Sequence, residues 1–189
     1  MNIKRSAALI MFAVLLLCGL SGCKDGQGFD SDTPSVAIII KGSESDFWND
    51  VKKGALSAAT EFNIDITFEG PDNEEDYETQ NRMIENAVSR NVGAIILSAI
   101  DYEKNAPAVR KAAEKGIKII TVDSDVDAAD KELFIATDNY SAGLKTAQVA
   151  QKLCGEQESI NIGIVNYPEN TENGSKRLHG FEDEIKIIK

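Results

Sequence analysis

VAIIIKGSESDFWNDVKKGALSAATEF, residues 36–62, holds a strand, a short loop and a helix in that order. Residues 36–40 form an unbroken apolar run rich in β-branched side chains, the composition of a parallel strand buried on both faces. Ser45 or Asp46 supplies a helix N-cap. Behind it Phe47, Val51, Ala55, Ala58, Ala59 and Phe62 fall on one face of a helix over residues 47–62. The alternation then recurs. Residues 65–69 read as a second strand and 76–90 as a second helix, with Met83, Ile84, Ala87 and Val88 facing inward. A third strand follows over 93–97. The third helix, 106–115, carries Pro107 in its first turn and ends at Gly116. Residues 118–122 and 133–136 are the fourth strand and a short fifth. Strands and helices in turn predict an α/β fold, a doubly wound parallel sheet with helices on both faces.

Beyond this unit, residues 140–153 read as a long helix, 159–165 as another buried strand and 174–185 as a last helix. Residues 36–137 therefore look like one complete lobe. Residues 138–189 hold a hinge crossing and the start of a second, too few elements for a core of their own. The chain reads as C-terminally truncated.

The N-terminal 22 residues have the layout of an export signal. Lys4 and Arg5 precede an uncharged run over residues 7–17, shorter than the roughly 20 residues of a membrane span. Leu20-Ser21-Gly22-Cys23 then resembles a bacterial lipobox, which would make Cys23 the lipidated mature N-terminus. Each buried CH2 of the acyl chains adds about 0.8 kcal/mol of membrane affinity. Residues 23–35, rich in Gly, Asp and Ser, read as a flexible tether. This predicts an extracytoplasmic, lipid-anchored protein.

Composition removes several functions. The formal charge is −11, and an acidic chain repels phosphate backbones, so nucleic acid is not an expected partner. Cys18 leaves with the signal and Cys23 carries lipid. Cys154 alone remains, on a helical pattern that reads as a small core residue. His179 is the only histidine, which disfavours His-based triads and most zinc sites. Asp123-x-Asp125-x-Asp127 looks like the start of a calcium loop, but Ala128 and Phe134 stand where an EF-hand needs Gly and Glu. No glycine-rich dinucleotide motif or P-loop follows the first strand. No metal and no cofactor is expected.

In an open parallel sheet, ligands bind beyond the carboxyl ends of the strands. The loops there are residues 41–46, 70–76, 98–105 and 123–129. Phe47 and Trp48 open the first helix beside this edge. Phe47 reads equally as core or as a stacking platform. Trp48 is placed at the cleft, with a surface cap as its other reading. Asp123, directly after the fourth strand, has a carboxylate suited to two hydroxyl donors. Ser98, after the third, offers one hydrogen bond or a plain turn.

The motifs Ser45-Asp46-Phe47-Trp48, Gly70-Pro71 with Asp76 and Gln80, Gly93 to Ser98, Val122-Asp123-Ser124, Ala136-Thr137-Asp138-Asn139, Ala142-Gly143 and Gly180-Phe181 together resemble the type I periplasmic binding proteins of the ribose-binding-like group. These are the sugar receptors of ABC importers. The resemblance implies two α/β lobes closing about a hinge. It implies that Phe47 and Trp48 sandwich a sugar, that Asp123 binds ring hydroxyls and that Ser98 lies at a contact position. It also implies a hinge crossing near Asp138, with Asn139 opening the next helix. Pentose receptors carry an arginine where this chain has Ser124, and another near Ser175. Arg177 is therefore a displaced candidate, and ribose itself is in doubt.

Two readings share this site. One is a solute receptor for an ABC permease. The other is a sensor subunit presenting a ligand to a membrane receptor kinase or chemoreceptor. An extracytoplasmic enzyme using Asp123 and Asp125 as acid and base is a third, disfavoured because no nucleophile–base pair stands nearby.

Overall fold

A computed structural model describes residues 33–42, 45–155 and 161–187. The leader, Cys23 and most of the tether lie outside the described residues. The elements, in chain order, are β1 (Ser35–Ile39), α1 (Asp46–Phe62), β2 (Asp65–Glu69), α2 (Tyr77–Ser89), β3 (Ala94–Leu97), α3 (Ala106–Glu114), β4 (Lys118–Val122), β5 (Leu133–Ile135), α4 (Asn139–Cys154) and α5 (Glu172–Ile187). The five strands form one all-parallel sheet in the order β2-β1-β3-β4-β5. This is the expected doubly wound α/β architecture.

The strands alternate their side chains between two faces, as strand geometry requires. Ala37, Ile39, Ile95, Leu97 and Ile119 point to one face, where Ile84 and Ala87 of α2 and Val109 and Ala112 of α3 close the larger core. Ile38 and Ile40 point to the other, under Trp48 of α1. Val51 and Ala55 complete that smaller cluster from the same helix.

The buried face of α1 is rotated from the expected one. Trp48, Val51 and Ala55 face the sheet, while Phe47, Ala58 and Phe62 are exposed. Both patterns share Val51 and Ala55. The large indole decides between them, because it covers Ile38 and Ile40 as the phenyl ring one position earlier cannot. Ser45 Oγ accepts from Trp48 N at 3.2 Å and fixes the start of the helix.

The expected strand over 159–165 does not form in its described part. Residues 161–165 have no ladder partner among the described residues, and Val165 is fully exposed. An apolar run specifies a strand only where a neighbour supplies hydrogen bonds, and the sheet's order ends at β2 and β5. Cys154, expected in the core, is only half-buried at the end of α4.

Helices α4 and α5 pack at the two glycines singled out in the sequence. A Cβ on Gly143 would collide with the Arg177 carbonyl oxygen, and one on Gly180 with that of Tyr140. Tyr140 Oη donates to Asp183 at 3.0 Å, and Gln148 Nε2 donates to Glu184 at 3.0 Å, across the same pair. Gly180→Ala is expected to destabilise the pair by about 1–3 kcal/mol through overpacking. The check is a lowered urea midpoint, and an unchanged midpoint would mean that the helices separate freely.

Candidate functional site

The sheet order places its switch point between β1 and β3, where successive connections run to opposite faces and the loops diverge. Three strand ends meet there. Lys41 follows β1, Ser98 follows β3 and Asp123 follows β4. Asp123 has φ +61°, a left-handed backbone that Asp and Asn tolerate better than most residues. A backbone outlier of this kind at a strand end is often found at a binding position.

Ser98 Oγ donates to Asp123 Oδ2 at 3.3 Å, so these two expected site residues do come together. Lys41 joins them. Its side chain is only 2% exposed, with Nζ 3.6 Å from Asp123 Oδ2. The ammonium also donates to Asn173 Oδ1 at 3.2 Å and lies over the Tyr167 ring, 4.8 Å from its centre. Burial pushes the Lys41 pKa below its ordinary value, while Asp123 and, more weakly, Glu74 and Glu172 pull it back. Asn173 Nδ2 in turn donates to Asp123 Oδ2 at 3.4 Å. Tyr167 Oη donates to Glu74, and burial followed by that carboxylate raises the Tyr167 pKa.

The rim is held by a residue quoted only as part of a motif. Gln80 is fully buried. Its Nε2 donates to the carbonyls of Ile40, at 3.0 Å, and Ser98, at 2.9 Å, and its Oε1 accepts from Ile100 N at 3.0 Å. One amide thus ties the ends of β1 and β3. Gln80→Leu strands a buried N–H and two carbonyls and is expected to cost about 2–4 kcal/mol. Chemical denaturation measures this, and a loss well under about 1 kcal/mol would show that other groups hold the rim.

Phe47 and Trp48 meet edge to face, with ring centres 4.8 Å apart. Trp48 is packed into the core at 4% exposure, rather than open at the cleft, and Phe47 is the ring left open at 57%. Arg177 Nε donates to Asn139 Oδ1 at 2.9 Å, at the start of α4. Its described bond therefore runs away from the Asp123 cluster. Asn139 also donates to Glu172, whose pKa is raised by burial and by Asp125. Asp138 caps α4, accepting from Ser141 N at 3.0 Å, a bond that holds its carboxyl below the usual value. Asp125 is engaged elsewhere, accepting from Thr121 at 2.8 Å with Lys131 Nζ at 3.0 Å.

The segment 166–173 lies across this edge. Besides Tyr167 and Asn173, Asn170 donates to Asp101 at 3.0 Å, and its carbonyl accepts from Tyr102 N at 2.8 Å. Beside this crossing is a cavity of about 820 Å³, lined by Tyr102, Asp125, Phe134, Asn170, Glu172 and His179 among others. A volume of this size holds a small molecule.

The family profile described as periplasmic binding protein domain matches residues 36–187. This chain belongs to the periplasmic binding protein family. As a binding protein of that family it is 24% identical over 157 residues to the D-allose-binding periplasmic protein of Escherichia coli strain K12, covering 79% of this chain and 50% of that one. Among solved structures, a sugar transporter from Clostridium phytofermentans superposes with a TM-score of 0.76 at 33% identity, covering 82% of this chain and 57% of that one. A carbohydrate transporter solute binding protein from Agrobacterium radiobacter, in complex with D-arabinose, gives 0.77 at 27%, covering 83% and 54%. The chain spans about half the length of the curated relatives it matches. These relatives are binding proteins, as the ribose-binding-like resemblance implied.

Lys41, Asn173, Tyr167 and Gln80 were missed as site residues. Lys41 had one legible signal, its place as the first residue after an apolar strand. Asn173 had none, because its role depends on how a distant segment folds back.

Proposed function

We propose that this binding protein captures a small polyhydroxyl molecule, most simply a neutral monosaccharide, outside the cytoplasm and delivers it to an ABC permease. The observation that carries the reading is the Asp123 carboxylate. It is held in a left-handed turn at the switch point, with Ser98 and a buried Lys41 beside it. Sugar hydroxyls both donate and accept, so a carboxylate, an ammonium and a hydroxyl in one place match them. Phe47, in the first turn of the helix that follows the β1 loop, has an open ring, over which the apolar face of a pyranose can stack. Trp48 supports that ring from below. Ser98 fixes the carboxylate. Arg177 orients Asn139 next to Asp138, where this reading puts the hinge between lobes 36–137 and 138–189. The sugar ligands named for relatives such as those above support the class.

Titration calorimetry with neutral pentoses and hexoses tests the reading. At least one is expected to bind with a 1:1 heat, and silence across the panel from folded protein would overturn it. Tethering through a lipid on Cys23 completes the picture. Cys23→Ser should release the protein from the membrane fraction, and retention there would rule out the anchor.

A further inference from the structure

We propose that the Asn173 side chain is an internal stand-in for a ligand hydroxyl pair, bridging Lys41 and Asp123, and that a sugar binds by displacing it. The inference rests on the sugar reading of the Asp123 cluster.

The geometry is that of a bridge. Asn173 is 7% exposed, and its amide presents an acceptor to Lys41 Nζ at 3.2 Å and a donor to Asp123 Oδ2 at 3.4 Å. Adjacent hydroxyls on a sugar ring offer the same pairing, one oxygen accepting from an ammonium and one O–H donating to a carboxylate. The first bond is at the long end of the normal range and the second lies beyond it, so a better-fitted ligand gains by replacing them.

The amide is delivered from outside the sheet by a rigid turn. Thr171 Oγ1 donates to the Pro168 carbonyl at 2.6 Å and accepts from Gly174 N at 3.0 Å. Gly174 N also donates to Asn173 Oδ1 at 2.9 Å, and Asn166 Nδ2 donates to the Gly174 carbonyl at 3.0 Å. A Cβ on Gly174 would strike the Pro168 and Tyr167 carbonyl oxygens and the Thr171 hydroxyl. The turn keeps these bonds whether or not it touches the sheet, so it can withdraw as a unit. Withdrawal also breaks Tyr167 to Glu74, Asn170 to Asp101, and the bond from Tyr102 N to the Asn170 carbonyl. The stand-in adds a hydrogen-bond acceptor for the buried Lys41 ammonium beside the Asp123 carboxylate. An occupant that must be displaced also lowers apparent affinity, which scales with the fraction of time the site stands vacant.

The test is acetylation of Lys41 in the protein expressed from its own gene, quantified by mass spectrometry against the exposed Lys53 and Lys118. The probe is a mixture of D-ribose, D-arabinose, D-allose, D-galactose and D-fructose. Asn173→Ala should raise Lys41 acetylation without sugar by about tenfold, and the sugar concentration that half-protects Lys41 should fall by a similar factor. Asn173→Ser, checked by circular dichroism, should do the same if the alanine variant misfolds. Equal acetylation in variant and wild type, with sugar protection intact, overturns the stand-in and leaves the sugar reading standing. A rise in the half-protecting concentration also overturns it, by making Asn173 a direct contact. Raised acetylation that no sugar reverses in either protein overturns the sugar reading, and displacement with it.

Discussion

Asp123→Asn is expected to weaken whichever monosaccharide binds by about 30- to 1000-fold, equivalent to about 2–4 kcal/mol. Hydrogen bonds to a charged group contribute about 1.5–3 kcal/mol each, roughly twice those between neutral groups. Asparagine is the informative replacement because it keeps the shape and tolerates φ +61°. Only the charge and one acceptor change. Calorimetry on the wild type's own best sugar reads the result, and an affinity within about threefold of wild type would remove Asp123 from binding. The variant carries a second signature. Lys41 loses the first of the groups that pull its pKa upward, so a value already lowered by burial falls further. The folded state then sheds its proton at lower pH than the unfolded state does. Stability should therefore rise with pH over a wider window below the ordinary lysine value.

Trp48→Ala is expected to cost about 3–5 kcal/mol of stability, the usual range for deleting a buried aromatic. Against a typical domain total of roughly 5–15 kcal/mol, that is a large fraction. The indole lies over Ile38 and Ile40 in the smaller of the two cores, where few other side chains can relax into the space. Urea unfolding followed by circular dichroism measures the loss, since the chain has a single tryptophan. Phe47→Ala should behave oppositely. It should weaken sugar binding while changing stability by about 1 kcal/mol or less, as expected of an exposed side chain. If Trp48→Ala unfolds at the wild-type midpoint, the core assignment of the indole is wrong.

Much of this organisation was legible in the sequence. Parallel strands in the sheet interior leave apolar runs, so residues 36–40 and 94–97 announced themselves, with Gly116 ending the helix between β3 and β4. Asp123 and Ser98 were legible for the same reason, because the residue after such a run must lie at the ligand-bearing edge. Lys41 obeys that rule too, but a lysine is read by default as solvated, and only the carboxylate beside it makes its burial tolerable. The facing of α1 was not legible, since two faces one residue apart share Val51 and Ala55. The run 161–165 was misread for a different reason. Apolar character is a property of the segment, but a strand is a property of a pair, and the second member cannot be found by inspecting the first.

The Gln80 side chain divides the rim into a stiff part and a movable part. Because one amide grips the ends of β1 and β3 together, those loops travel as one body, like the fixed jaw of a vice. The opposing contacts are separate bonds from 166–173, to Lys41 after β1, Glu74 after β2, Asp101 and Tyr102 after β3, and Asp123 after β4. Any gape of the mouth is therefore concentrated on the far side. The frame that holds Asp123 and Ser98 is the anvil, and the moving surface is the one whose chemistry can vary without loosening it.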